Sequence, residues 1–338
     1  MRVFRMAVES DDPHFLLTHC SRTLACPGKL VLYYSRDFST KQQDVCVNQQ
    51  TQLVPSAVRG RLHLEFVYDR ERQGTRLAVS EQQAPLQVIR AFPLDDGGAL
   101  VHLHNLSGGV LGGDQLALSV EIGARAYVQL TSTSATRVYR SRPEMLPALQ
   151  ENTILVQQDA LLEYLPDPLI PFAGSRYHQR TRITLEPGAG LFWWEVITPG
   201  RVARNEIFDY DMLQMELVIA AQRRPIAIEA FKLEPQQRAL TSPARLGAYH
   251  YTCSFYICRV GLEAAYWSRL EQELSQMACQ LTRHGEISWG VSTLVAHGLV
   301  IRAVSKQGRD IAPGLQAFWH AAKLALYGQP AIPPRKIY

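Results

Sequence analysis

The sequence predicts a mostly β protein built of stacked or coiled sheets of a β-helix-like kind, closed by two amphipathic α-helices near the C-terminus. Three observations carry this reading. Short runs of period-2 apolar alternation recur from residue 61 onward. Turn signals such as Asp96-Gly97-Gly98 and Glu186-Pro187-Gly188 separate them. Helical periodicity is confined to two late segments, which is not the alternation of strand and helix that a parallel α/β fold requires.

Residues 1 to 57 come first and do not share the pattern. They are rich in Gln, Asp, Ser and Thr, with apolar islands such as Leu30 to Tyr34 and no sustained period. They read as an N-terminal extension, either flexible or the product of an upstream start-codon choice, leaving residues 58 to 338 as one β-rich domain. In that domain Leu62, Leu64, Phe66 and Tyr68 alternate with His63, Glu65 and Val67 as in a half-buried strand. Further strands are expected at Ala99 to His104, Gln115 to Ile122, Ala126 to Leu130, Thr153 to Gln157 and Leu161 to Leu165. Arg180 to Leu185, Leu191 to Ile197, Gln214 to Ile219, Ile226 to Leu233 and Leu294 to Ala303 complete the set. Leu270, Leu274, Met277 and Leu281 then recur at helical spacing between Trp267 and Thr282, as do Leu315, Phe318, Trp319, Ala322 and Leu326 from Gly314 to Tyr327.

A chain of 338 residues with 46% apolar composition can bury a large core. Its net charge of +4 is small and dispersed, giving no electrostatic footprint for nucleic acid. No apolar run reaches membrane-spanning length, and no basic segment followed by a compact apolar stretch opens the chain, so the expectation is a soluble cytoplasmic protein with no membrane partner. The six cysteines, at 20, 26, 46, 253, 258 and 279, lack the paired spacings of a zinc site and read as reduced, partly buried thiols.

The most informative local feature is Ser107-Gly108-Gly109-Val110-Leu111-Gly112-Gly113-Asp114. A phosphate-gripping loop needs Lys and Ser/Thr after its last Gly and a helix behind it. Asp114 stands where the Lys belongs, and a strand follows. The dinucleotide pattern fails as well, because Val110 occupies its second Gly position. The octet is therefore a Gly-rich turn with a carboxylate at its junction with a strand, and its Gly residues are expected to serve φ > 0.

Catalytic motifs are absent. Gly285-Glu286-Ile287-Ser288-Trp289-Gly290 misses a nucleophile elbow by one residue. His102 and His104 share one strand face and could form a metal pair, though two half-exposed strand histidines is the plainer reading. The acids are more informative. Glu163 lies between Leu162 and Tyr164, so alternation sends it to the face opposite both, Asp167 follows between two prolines, and Glu195 ends the apolar run Leu191 to Trp194. A buried carboxylate must find a cation, a hydrogen bond or water. The plain alternative is a set of internal salt bridges to Arg137, Arg176, Arg201 and Arg204.

The octet resembles the signature of the UreD (UreH) family of urease accessory proteins, and the resemblance continues down the chain. Thr133 to Arg140, Leu162 to Phe172, Gly200-Arg201 with Glu206 and Phe208, and Pro334 to Tyr338 are similar to further blocks of that family. One departure is Asn205, where the family usually has Gly; Asn tolerates the left-handed backbone best among the other residues. The resemblance implies a non-enzymatic metallochaperone scaffold for urease maturation. Its partners would be a UreF-type accessory protein, a UreG-type GTPase and the urease apoprotein subunits, with the C-terminal helices as a docking surface. It implies no tightly bound cofactor, only transient Ni²⁺ on an internal path of acidic residues. Oxygen donors release Ni²⁺ more readily than thiolates, and Asp114, Glu163, Asp167 and Glu195 suit that task. Two other classes remain: a metal-dependent hydrolase using the same carboxylates around a fixed ion, and a structural bridge that never touches nickel.

Overall fold

The computed structural model describes residues 57–334. The expected extension, apart from Ala57, and the C-terminal block after Pro334 lie outside the described residues. The chain enters at β1 (Arg59–Asp69) and doubles back as β2 (Gly74–Gln83). Two short pieces, β3 (Leu86–Gln87) and β4 (Ala91–Pro93), pair with β5 (Ala99–Asn105). From there the chain passes back and forth between two sheets. β6 (Gln115–Ile122) lies parallel to β1, and β7 (Tyr127–Ser132) parallel to β5. After the short β8 (Thr136–Val138), β9 (Ala148–Val156) stacks on β6 and β10 (Leu161–Tyr164) on β7. β11 (Leu169–Pro171) pairs with β8, then β12 (Arg176–Leu185) stacks on β9 and β13 (Gly190–Ile197) on β10.

The last parallel strand is β14 (Met212–Ala221), along which β15 (Arg224–Leu233) runs antiparallel. β16 (Tyr251–Arg259) joins the second sheet antiparallel to β13. Helix α1 (Ala264–Leu281), strands β17 (Ile287–Thr293) and β18 (Gly298–Ser305), and helix α2 (Ile311–Tyr327) complete the described chain. The first sheet has the order β15-β14-β12-β9-β6-β1-β2 and the second β17-β18-β16-β13-β10-β7-β5-β3, with β4, β8 and β11 attached to it.

The main core lies between these sheets, because period-2 alternation sends one side of every central strand inward. Leu116, Leu118, Val120 and Ile122 of β6 are all buried, and Leu118, Val120 and Ile122 share one cluster with Val128 and Leu130 of β7, Ile183 of β12 and Trp193 of β13. The helices form a second core on the other face of the second sheet. Trp267, Leu270 and Leu274 of α1 and Leu315, Phe318 and Trp319 of α2 cover Phe192, Phe255, Ile257 and Ile301. Each such side chain removed from water stabilises the layer by about 1.5–3 kcal/mol. The expected helices are thus built into the fold by one face. A third, smaller core at one end joins Val110, Val138 and Leu169 to Tyr177, Phe208 and Tyr210.

Several expected boundaries move. β9 begins at Ala148 and β12 at Arg176, earlier than the apolar alternation shows, because Gln150, Glu151 and Asn152 of β9 and His178, Gln179 and Arg180 of β12 interrupt it with polar side chains. β18 runs Gly298–Ser305 instead of from Leu294, since Leu294 belongs to the turn whose N–H bonds the Gly298 carbonyl. α2 starts at Ile311, three residues early. Pro313 sits in its first turn, where a missing N–H costs nothing. Asn205 does adopt the left-handed conformation, with φ of 59°, so the turn is kept.

Candidate functional site

The octet is a structural device, and its carboxylate is spent on backbone. Asp114 is buried; its Oδ2 accepts the Leu111 N–H at 2.8 Å and its Oδ1 the Val58 N–H at 3.2 Å. It thereby closes the turn and fastens the start of β1 to β6. Gly113 has φ of +88°, and a Cβ there would lie 2.5 Å from the Met145 methyl. Gly112 differs from the expectation of φ > 0: it carries no left-handed angle, and what excludes a side chain is Ser141, whose Oγ would lie 2.8 Å from a Cβ. Gly109 makes room for the Tyr139 ring, 2.5 Å from where a Cβ would stand.

Glu163 faces α2, away from the core between the sheets, as alternation against Leu162 and Tyr164 requires. Its carboxylate has no exposure, and neither has the ammonium-bearing side chain of Lys323 on α2, 3.1 Å away. Three more donors reach Glu163: Tyr127 Oη at 2.8 Å, Gln129 Nε2 at 3.0 Å and Trp319 Nε1 at 3.1 Å. Lys323 in turn donates to Tyr127 Oη at 2.7 Å and lies 3.8 Å from Asp96 Oδ2, an oxygen with no hydrogen-bond partner of its own. Burial, then the Glu163 charge, push the Tyr127 hydroxyl far above its usual range, so it stays protonated and serves as a relay of hydrogen bonds. Gln129 also donates to the Ile332 carbonyl at 2.9 Å, tying the segment after α2 to this cluster.

The expected cations were arginines, and the structure corrects this. Among the described residues none of Arg137, Arg176, Arg201 and Arg204 makes an ion pair with Asp114, Glu163 or Glu195. Arg176 instead donates to the carbonyls of Arg142 at 2.9 Å, Pro143 at 3.2 Å and Met145. Arg201 pairs with Glu206. Sequence reading passed over Lys323, although a signal existed. It stands four residues after Trp319, on the apolar stripe of α2, where a lone Lys requires a buried partner.

Glu195 faces the other way, into the space between the sheets. A cavity of about 120 Å³ opens there beside His104, Ser132, Thr136, Asn152, Tyr164 and Gln179. Side chains on its floor form a hydrogen-bonded chain. Gln150 Nε2 donates to Asn152 Oδ1 at 2.9 Å, Asn152 Nδ2 to Thr181 Oγ1 at 3.1 Å, and Gln179 Nε2 to Thr181 at 3.4 Å and to Glu195 Oε1. Beyond Glu195 stands Glu229 of β15, which accepts from Tyr256 Oη and, at 3.2 Å, from the half-exposed Arg302. Burial first, then the Glu229 charge, raise the Glu195 carboxyl to about 7, against the pull of the Gln179 bond. The interior thus carries a polar belt from a cavity mouth to a carboxylate pair at its far side.

Asp167 follows Pro166 and meets Ser132, both of which line the cavity. Its Oδ2 accepts from Ser132 Oγ at 3.1 Å, and its N–H donates to the same oxygen at 2.8 Å. His102 and His104 do share a strand side, and burial, then the neighbouring His102, hold His104 below the usual imidazole range. Burial pushes the Cys253 thiol up to about 12, which suits an inert core thiol. Of the four expected metal-path acids, the structure brings none together with another. Asp114 lies in the turn, Glu163 beneath α2, Asp167 beside the cavity-lining Ser132 and Glu195 in the interior. Among the described residues no three His, Cys, Asp or Glu side chains gather as a set able to hold a metal ion.

Comparison with known proteins gives a consistent result. The family model described as UreD urease accessory protein matches residues 58–337. A urease accessory protein UreD from Herpetosiphon aurantiacus is 47% identical over 281 residues, covering 83% of this chain and 97% of that protein. Those of Halalkalibacterium halodurans and Pseudomonas aeruginosa are each 30% identical, over 80% of this chain and 97% and 92% of the respective relatives. With a family model over most of its length and such relatives, the chain belongs to the UreD family of urease accessory proteins.

Proposed function

We propose that this protein is a non-enzymatic scaffold that helps insert nickel into urease, working with a UreF-type protein and a UreG-type GTPase on the urease apoprotein in the cytoplasm. The family membership supports the role in urease maturation, and the absence of a phosphate loop from the sequence assigns GTP hydrolysis to the partner. No helix among the described residues is long and apolar enough to cross a membrane. We read the parallel stacking of rungs as a coil of the β-helix kind, whose interior can hold a passage.

The observation that carries the nickel reading is the polar belt ending on Glu195 and Glu229. A transit site wants oxygen donors that are few and not preassembled, so that the ion is released. Asp114 closes the turn and Glu163 lies on the far face of the second sheet beneath α2, both away from this belt, so we assign the path to Asp167 beside the cavity and Glu195 inside, with Glu229 added. The test is Glu195→Gln with Glu229→Gln, co-expressed with urease and the accessory proteins. Folding and partner capture are expected to persist while the nickel content of urease falls. Undiminished nickel loading refutes the path. Normal urease in a strain lacking this protein altogether refutes the maturation role.

A further inference from the structure

Beside the cavity the second sheet carries a short parallel extension. Val110 bridges Val138, β8 pairs with β11, and Leu169 of β11 pairs with Ile197. Val110, Val138 and Leu169 face the small end core, so alternation turns Arg137, Tyr139, Ile170 and Phe172 outward. The outward side is a rigid ladder. Gly109 lets the Tyr139 ring close over it, Tyr139 meets Phe172 edge-on at 5.2 Å, and the Arg201 guanidinium lies 4.1 Å over Phe172 while pairing with Glu206.

Around this ladder the surface is cationic and apolar at once. Arg137, Arg140, Arg142 and Arg204 are exposed. Arg140 donates to the Ala173 carbonyl, and among the described residues none of the four has a carboxylate at ion-pair distance. Of the acids nearby, Glu206 pairs with Arg201, accepts the Ala173 N–H and also feels the Arg204 charge, Asp209 accepts the Ile207 N–H, and Glu144 is exposed, so the four arginines outnumber the acids around them. Leu106, Leu111, Val202 and Ile207 stand exposed by 63%, 49%, 41% and 37%, which a merely solvated charged face does not require. Ordered aromatic rings, arginines and exposed aliphatic side chains together are the composition of a protein interface.

We propose that this face docks an acidic protein segment. Unpaired guanidiniums recognise carboxylates in two-pronged fashion, and the aliphatic residues between them suit a polypeptide better than a phosphate backbone. Gly108, Gly109, Val110 and Thr136 also line the cavity, so the face borders it. A cationic rim repels a bare divalent ion. If the nickel reading above holds, on which this step rests, the ion arrives on a carboxylate-bearing partner seated here, whose acids neutralise the rim as it docks.

The test is Arg137→Glu with Arg204→Glu, two side chains with no carboxylate at ion-pair distance, although Arg204 acts on Glu206 through its charge. Affinity is measured for poly-L-glutamate, duplex DNA and each of the three proposed partner proteins, with melting temperature as the control for folding. The wild type is expected to bind poly-L-glutamate in a manner weakened as salt rises past about 0.15 M. The double variant, at unchanged melting temperature, is expected to lose at least about tenfold in affinity for poly-L-glutamate and for one partner. Equal binding by variant and wild type overturns the proposal, as does a wild type that prefers DNA to poly-L-glutamate. A wild type that binds poly-L-glutamate, with loss in the variant, but captures none of the three proteins supports the acidic-segment surface and overturns the maturation reading. If the double variant melts lower, Arg137→Gln with Arg204→Gln replaces it under the same criteria.

Discussion

Replacing Glu163 by Gln is expected to destabilise the fold severely, and the cause is the ammonium it leaves behind. Glu163 and Lys323 are 3.1 Å apart with no exposure of either side chain. At an effective dielectric near 20 their attraction is about 5 kcal/mol. Gln keeps the shape and one acceptor oxygen, but its amide presents N–H to a site already filled by donors from Trp319 and Gln129. Lys323 then retains Tyr127 Oη and, at 3.8 Å, Asp96. Removing one partner of a buried pair costs about 3–5 kcal/mol, and the residual contacts place this case near 3. Urea denaturation should show that loss, with a fall in melting temperature of at least about 6 °C for a domain of this size. The control is the double variant Glu163→Leu with Lys323→Met, which removes both charges and should recover most of the stability. A Glu163→Gln protein within about 1 kcal/mol of the wild type would refute the argument. So would a double variant no better than the single one.

Two further predictions concern the interior and the turn. Glu195 has its carboxyl raised to about 7, so the native state holds a proton that the unfolded chain releases near the ordinary value of 4.5. Stability from this group is therefore complete below about 4.5 and is lost as pH rises through about 7; Glu195→Gln should flatten the fall of melting temperature across that window, and an unchanged profile would refute the assignment. In the octet, Gly112→Ala should be partly rescued by Ser141→Gly, because its obstacle is space. Gly113→Ala should resist rescue by Met145→Ala, because φ of +88° persists after the methyl is gone; equal rescue in soluble yield and melting temperature would contradict this.

Legibility in the sequence followed the physics of exposure. Strands with one face in the core and one in solvent were readable, and β6 keeps the expected limits, Gln115 to Ile122. β16, Tyr-Thr-Cys-Ser-Phe-Tyr-Ile-Cys-Arg, is covered on both faces, by β12 and β14 across the core and by the helices outside, so its later residues are all buried and it shows no alternation. β2 fails for the opposite reason. It is a sheet edge with no buried residue, and its Gln and Ser side chains give no apolar signal. β17 carries Gly290 in its middle and lies at an edge of the second sheet. The two helices were legible because each buries one stripe only, against the second sheet.

The site was legible in its residue types and not in its grouping, and strand parity shows why. β10 and β13 run parallel in a register that sets Leu162 beside Leu191, Glu163 beside Phe192 and Tyr164 beside Trp193. Residues of equal phase share a face, so Glu163 belongs with Phe192 and Trp194, under α2, while Glu195 belongs with Leu191 and Trp193, in the core between the sheets. The two acids are similar as sequence features, each an isolated carboxylate on an apolar strand, yet one register assignment sends them to opposite sides of the sheet. No pattern within either strand contains that register. It is set by pairing between strands some thirty residues apart, and with it comes the division of labour: Glu163 holds a helix down, and Glu195 is left facing Glu229 across the polar interior.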